Sequence, residues 1–317
     1  MIVGVPKKWL RMTLMVKGST LPQTWKRIVM TTAFSAVVTL LWGVWGLERF
    51  TLSTTPFALV GVALSIFLGF RNNTSYDRFW EGRKLWGRMV NVSRTFTRQV
   101  LTLIHPGDRA PPTEKQRARV LGEELVRRHI AYVHALRMHL RDEIWEQWTQ
   151  LDPFIGEAER AALKPESNRP AAISHRSGEL LADAFRRGWI EAHLLANIDA
   201  SLTEMIGVQG ACERIKSTPV PFVYQVLTHR FVGVYCIALT FGLHDTVGLF
   251  TPLVVAFVSF AFYGLDAIGD EIEEPFGYDP NDLPLMALSR MIEINLRQRL
   301  GDEHLPPLHQ PRNGVLD

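Results

Sequence analysis

Residues 50–70 carry no charged side chain, and they run straight into Arg71-Asn-Asn-Thr-Ser-Tyr-Asp-Arg-Phe-Trp-Glu-Gly-Arg-Lys-Leu-Trp-Gly87. The first part is long enough to cross a bilayer, which takes about 20 mostly apolar residues. The second is amphipathic, basic and aromatic, and it cannot lie in lipid. The junction predicts a helix that leaves the membrane at Phe70 and continues into water. Within the apolar part Gly61, Ser65 and Gly69 recur every four residues, and Val62, Ile66 and Phe70 follow one step along. Small residues let helices approach closely in lipid, while the neighbouring strip offers bulk to something else. A helix packed in a ring around an axis would use both strips. A lipid-facing stripe would show the same spacing, so spacing does not separate the two.

Three more apolar stretches qualify as spans. Residues 28–47 are uncharged and are followed by Glu48 and Arg49, which predicts a tight helical hairpin with the second span; Thr51 to Pro56 fall at its turn. Pro56 then sits near a helix start, where its missing N–H costs nothing. The late pair covers residues 223–243 and 247–265, with His244 and Asp245 marking the turn and His229 and Arg230 at the interface. A buried core pair in a soluble helical domain is the competing account of the late segments. Lysine and arginine flank the first span on its N-terminal side and the second on its C-terminal side (Arg71, Arg78, Arg83, Lys84, Arg88). By the positive-inside rule this puts both termini and residues 71–222 in the cytoplasm. No cleavable signal peptide is expected, because the first apolar span begins only after Arg27 and a run of basic residues.

The bulk numbers agree with a mixed protein. Hydrophobic content is 47% over 317 residues and mean hydropathy is +0.02, high for a soluble protein and low for a pure membrane bundle. Net charge is only +3, and basic and acidic residues interleave along helices, which argues against nucleic-acid binding. Cys212 and Cys236 read as free thiols. Residues 71–222 read as successive helices. Apolar residues step by three or four from Leu85 to Leu103, and His105-Pro-Gly-Asp108 breaks that helix. Thr113 is expected to cap the next, which runs through Val120, Ile130 and Leu140. Residues 164–170 read as a loop, followed by helices over 176–189 and 197–215. No β pattern occurs, and the proline-containing tail from Leu305 is expected to be mobile. The fold class is all-α: a multi-pass membrane protein with four transmembrane helices and a helical cytosolic domain. Its segments are 1–27, 28–70, 71–222, 223–265 and 266–317.

Chemistry that would mark an enzyme is missing. There is no phosphate-binding glycine loop and no nucleophile elbow. His129, His134 and His139 are five apart, on different helix faces rather than at the i, i+4 spacing of a metal helix, and read as surface or satisfied core histidines. Asp266, Asp270, Glu271, Glu273 and Glu274 read as a solvated helix face. No cofactor and no metal are expected.

Three stretches resemble the bestrophin family of pentameric ion channels, in its bacterial branch: residues 67–87, Cys212-Glu-Arg-Ile-Lys-Ser-Thr-Pro-Val-Pro-Phe-Val-Tyr224, and Glu273-Glu-Pro-Phe-Gly-Tyr-Asp-Pro-Asn-Asp-Leu-Pro284. The resemblance implies a homopentamer around one axial pore in the bacterial inner membrane, passing monovalent ions passively. It places the narrow neck at Val62, Ile66 and Phe70, with Gly61, Ser65 and Gly69 packing the neck helices. Many eukaryotic relatives have an aromatic residue where this chain has Ile66. An aliphatic side chain offers no polarised ring edge to an anion, so chloride is the family expectation and sodium or another monovalent cation the alternative. The cytosolic aperture falls at His193, counted back from Cys212-Glu213-Arg214. Eukaryotic relatives bind calcium after the fourth span. Here Asp279 and Asp282 remain, but Tyr278, Pro280 and Asn281 replace acids, which implies a weak hard-cation site. A membrane-anchored scaffold whose dry neck never conducts is the alternative from another class.

Overall fold

A computed structural model of the chain describes residues 1–3, 9–13, 15–45 and 53–317. The turn expected at Glu48 and Arg49 lies outside the described residues, as do Phe50 and Thr51. The helices are α1 (Trp9–Thr13), α2 (Leu21–Trp45), α3 (Thr54–Leu103), α4 (Pro112–Leu140), α5 (Glu157–Leu163), α6 (Arg169–Arg186), α7 (Ala192–Ser217), α8 (Phe222–Val247), α9 (Thr251–Glu273) and α10 (Leu285–Leu300). No strand occurs among the described residues, so the all-α expectation holds.

Two bundles share α3. The first contains α2, the N-terminal part of α3, α8 and α9, with α9 packed against the other three. Two helical segments are long and apolar enough to cross a membrane: Thr54–Leu103 and Phe222–Glu273. The latter folds back on itself at Gly248, whose φ of +57° favours glycine, and the Thr251 hydroxyl donates to the Gly248 carbonyl at 2.6 Å. The turn therefore lies at Gly248–Phe250, past His244 and Asp245, which stay within helix α8. The tight hairpin expected between the first two spans turns on residues outside the described ones. The described parts of α2 and α3 each pack on α9. The α2–α9 contact is close enough for the Thr31 hydroxyl to reach the Ser259 hydroxyl at 3.4 Å.

The second bundle packs α4, α7 and α10 against the C-terminal part of α3, with α6 on α4 and α7. Its core contains Trp86, Met89 and Phe96 from α3, Leu125, Ile130 and Leu136 from α4, Met205 and Cys212 from α7, and Ile292 and Leu296 from α10. Both cysteines are buried free thiols. The break after α3 is where the sequence puts it: Gly107 has φ +84°, and its N–H donates to His105 Nδ1 at 3.0 Å. The start of α4 is not. Thr113 caps nothing; Pro111 is the N-cap and Pro112 opens the helix, since a first-turn proline has no donor to satisfy. Helix α6 begins at Arg169 rather than Arg176, because the Asn168 side chain accepts from the Ala171 N–H at 3.2 Å and Pro170 fits the first turn. The tail is ordered rather than mobile. Val3 donates to the Gly314 carbonyl at 3.0 Å, Leu316 to the Met1 carbonyl at 2.8 Å, and Ala287 to the Asp317 carbonyl at 2.7 Å.

Candidate functional site

Ser53 opens α3, its hydroxyl accepting from the Thr55 N–H at 3.4 Å, with Pro56 in the first turn. The helix then runs 50 residues without interruption from the apolar segment into the second bundle. One face of its first turns is buried: Gly61, Leu64, Leu68, Arg71 and Ser75. Val62, Ile66 and Phe70 point elsewhere, with 62%, 53% and 69% of their surface exposed in the single protomer. Val62 and Ile66 each precede a buried leucine by two residues, roughly 200° around the helix. The small-residue strip divides. Gly61 lies against Tyr235, whose hydroxyl would sit 2.5 Å from an added Cβ. Gly69 has open space beside it, and the Ser65 hydroxyl bonds the Gly61 carbonyl at 2.8 Å.

Directly after Phe70 comes a buried ionic node. Arg71, its side chain 2% exposed, donates through Nη1 to Asp266 Oδ1 at 2.7 Å and through Nη2 to Asp270. His229 Nδ1 lies 2.5 Å from the other Asp266 oxygen, and Arg27 approaches it at 3.9 Å. Asn72 Nδ2 donates to the Leu265 carbonyl at 3.0 Å. The acidic run is therefore not a solvated face. Asp266, Glu271 and Glu273 are buried, and Glu273 accepts from the Val220 N–H at 2.9 Å. Burial of a charge requires such partners, and these come from α3, α8, the α7–α8 connection and, for Glu271, Asn281 in the loop after α9. His229, Asp266 and Asp270 bring ligand atoms within 4.8 Å of one another. A divalent cation there would have to displace the Arg71 guanidinium from both carboxylates, so the cluster is an ion-pair node.

His193 lies in the first turn of α7 and is exposed, its Nδ1 3.3 Å from Glu191. Helix α7 lines the far end of α3, where Gln99 Nε2 donates to the Asn197 carbonyl at 3.1 Å and the Ser201 hydroxyl to Gln99 Oε1 at 2.8 Å. Thirty-three residues of helix separate Phe70 from Leu103, ~50 Å at 1.5 Å per residue. The candidate neck and the candidate aperture thus occupy opposite ends of the part of α3 that follows the apolar segment.

The loop after α9 holds Asp279 and Asp282, the acids that remain of the family's calcium segment. Asp282 is buried, and desolvation pushes its carboxyl up to about 7. One of its oxygens accepts from the Asp279 N–H at 2.7 Å, leaving a single buried oxygen without a partner. Asn281 turns its amide N–H groups to the Gly18 carbonyl and to Glu271, at 3.1 and 3.0 Å. Asp282 thus contributes at most one free oxygen toward the six to eight that calcium takes. Of the three histidines, His129 is buried and held down to about 3 by desolvation, His134 is buried with Nε2 3.0 Å from Glu293, and His139 is half-buried beside Glu213.

The sequence pattern of the Bacterial/Fungal Bestrophin protein family matches residues 1–298. The chain belongs to the bacterial and fungal bestrophins. It is 40% identical over the full length of both chains to a protein of Ralstonia nicotianae named voltage-dependent anion channel-forming protein. It is 37% identical to one of the same name from Escherichia coli, over 96% of each. A crystal structure of a mutated bacterial bestrophin homologue from Klebsiella pneumoniae superposes with a TM-score of 0.80 at 30% identity, covering 88% of this chain and all of that one. In this bestrophin the three stretches that carry the family resemblance meet at one side chain. Arg78, from the first, donates through Nε to the Glu273 carbonyl of the third at 3.0 Å. Its two Nη atoms donate to the Thr218 and Ile215 carbonyls of the second, at 2.6 and 2.5 Å. Sequence reasoning found the stretches but not their convergence. The available signal was an arginine two turns beyond a span, opposite acids that follow another.

Proposed function

We propose that this bestrophin is a homopentameric channel of the bacterial inner membrane that passes anions passively through an axial pore. The observation that carries the reading is the outward strip Val62, Ile66 and Phe70. Three bulky apolar side chains face away from their own protomer, next to small residues, in a chain whose relatives are named for anion channel formation. Five copies of the strip around an axis make a narrow apolar neck, and an apolar ring resists ions by offering no replacement for their water shell. In this arrangement α2, the apolar part of α3, α8 and the first part of α9 span the bilayer, with both termini and residues 71–222 in the cytoplasm. His193 lines the cytosolic exit.

A cation-conducting neck is the second reading, favoured by Ile66. Its aliphatic surface gives an anion no polarised edge. Purified protein in liposomes tests both. Flux with a reversal potential near that of chloride in asymmetric sodium chloride supports the anion reading, and one near that of sodium supports the second. Absence of flux, with the pentamer intact by mass, would leave a non-conducting scaffold. A monomeric mass would refute the axial pore outright.

A further inference from the structure

Most arginines of the second bundle are neutralised by a neighbouring carboxylate. Arg127 and Arg297 share Asp302 at 2.9 and 2.7 Å, Arg214 meets Glu81 at 2.6 Å, and Arg119 meets Glu123 at 2.9 Å. Three arginines break this pattern together. Arg94 and Arg98 of α3 and Arg299 of α10 line one cleft of about 500 Å³ between those helices. None of the three forms an ion pair with a described residue. Arg94 instead donates twice to a neutral acceptor, Asn295 Oδ1, at 3.2 and 2.8 Å. Three exposed arginines that line one cleft without a carboxylate partner leave its positive charge to be met by an anion brought from outside. The remaining lining is Thr97, Thr102 and Gln298 over Leu101 and Leu296. The Thr97 hydroxyl is buried and has no hydrogen-bond partner among the described residues.

We propose that the Arg94–Arg98–Arg299 cleft binds a soluble polyphosphate anion. Phosphate chemistry fits better than a halide. Guanidinium groups present planar forks that pair with oxygens two at a time, and three forks call for several oxygens and more than one negative charge. A single halide would leave most donors unused. The size of the cleft leaves room for more than one phosphoryl group. Lipid headgroups are the other source of phosphate. Arg98 lies 28 helical residues beyond Phe70, ~42 Å, so under the topology proposed above they cannot reach it.

Calorimetric titration of the purified, detergent-solubilised protein with sodium pyrophosphate, at ionic strength held constant with sodium chloride, tests the site without measuring flux. A saturable isotherm with one site per chain is expected, with orthophosphate binding more weakly. Asn295→Asp places a carboxylate beside Arg94, supplies the missing counter-charge from within, and should weaken pyrophosphate at least tenfold. Its melting temperature without ligand should equal or exceed that of wild type, which separates a filled site from a damaged fold. Arg98→Gln with Arg299→Gln should abolish binding. No saturable binding at millimolar pyrophosphate would overturn the proposal; a carboxylate of a neighbouring copy already seated in the cleft would give that result. Wild-type affinity in the Asn295→Asp protein would overturn it equally.

Discussion

The most demanding prediction concerns Arg71. Truncation to alanine removes the cation that faces Asp266 and Asp270. Asp266 is 1% exposed, so its charge would stay buried with only His229 and a distant Arg27 beside it. Removing one partner of a buried pair costs about 3–5 kcal/mol, because the other charge loses its compensation. That is a large share of the roughly 5–15 kcal/mol that holds a typical domain folded. At ~2–4 °C per kcal/mol for a protein of this size class, the melting temperature in detergent should fall by on the order of 10 °C. Tryptophan fluorescence reports it, since the chain has nine tryptophans. Arg71→Ala with Asp266→Ala removes both charges and should cost less than the two single changes added, by ~1–3 kcal/mol. Arg71→Lys keeps the charge but loses the two-pronged geometry, and should fall between. An alanine variant that melts within a degree or two of wild type, or single costs that simply add, would refute the node as an anchor.

Four further outcomes follow from named contacts. Val62→Ala, Ile66→Ala and Phe70→Ala together should raise liposome flux well above wild type at nearly unchanged melting temperature, because these side chains contact little within the protomer; equal flux would put the barrier elsewhere. Gly61→Ala should lower protomer stability, since its Cβ would meet the Tyr235 hydroxyl at 2.5 Å, whereas Gly69→Leu, with open space beside it, should act only on pentamer mass. His129 stays neutral in the fold down to about pH 3 but takes up a proton when unfolded, below an ordinary value near 6.5. Stability therefore falls as pH drops through that window, by up to ~1.4 kcal/mol per pH unit. His129→Phe, retaining the ring contact with Phe96, should flatten this slope in acid-unfolding curves, and a parallel curve would contradict it. His193→Ala should change single-channel conductance, because it removes bulk from the proposed cytosolic exit; an unaltered conductance would put the aperture elsewhere.

What the sequence revealed was local, and what it hid was long-range. The continuity of α3 through Phe70 was legible because a helical period persists across the change from apolar to amphipathic. The break at Gly107 and the body of α4 were legible for similar reasons. The start of α6 was not, because Asn168 and Pro170 suit a loop and a helix N-terminus equally well, and only the Ala171 N–H chooses. The tail read as mobile from its composition, yet its order comes from backbone bonds to Met1 and Val3, about 310 residues earlier. The acidic run failed in the same way. Asp266 and Asp270 look solvated until Arg71, 195 and 199 residues away, is placed beside them. Glu293 likewise conceals His134 as its partner across 159 residues.

The adjacency of Phe70 and Arg71 gives the candidate site its mechanical character. On one residue the helix presents an apolar ring to the outside; on the next it is bound to α9 by two carboxylates. About 100° of rotation separates them, so any turn of α3 that swings Phe70 also strains the Arg71 contacts. Asn72 and Arg78 extend the attachment over two further turns through backbone carbonyls of α9 and of the α7–α8 connection. A helix held this firmly at one end of its apolar strip cannot widen a neck by free rotation there. Movement must enter from the other end, near Gly61 and Val62, where Tyr235 is the neighbour and no ion pair holds α3. If the neck opens, residue 62 should therefore move more than residue 70. Spin labels at those two positions, compared under conducting and non-conducting conditions, would register that order, and equal or reversed displacement would mean that the node yields as readily as the apolar packing.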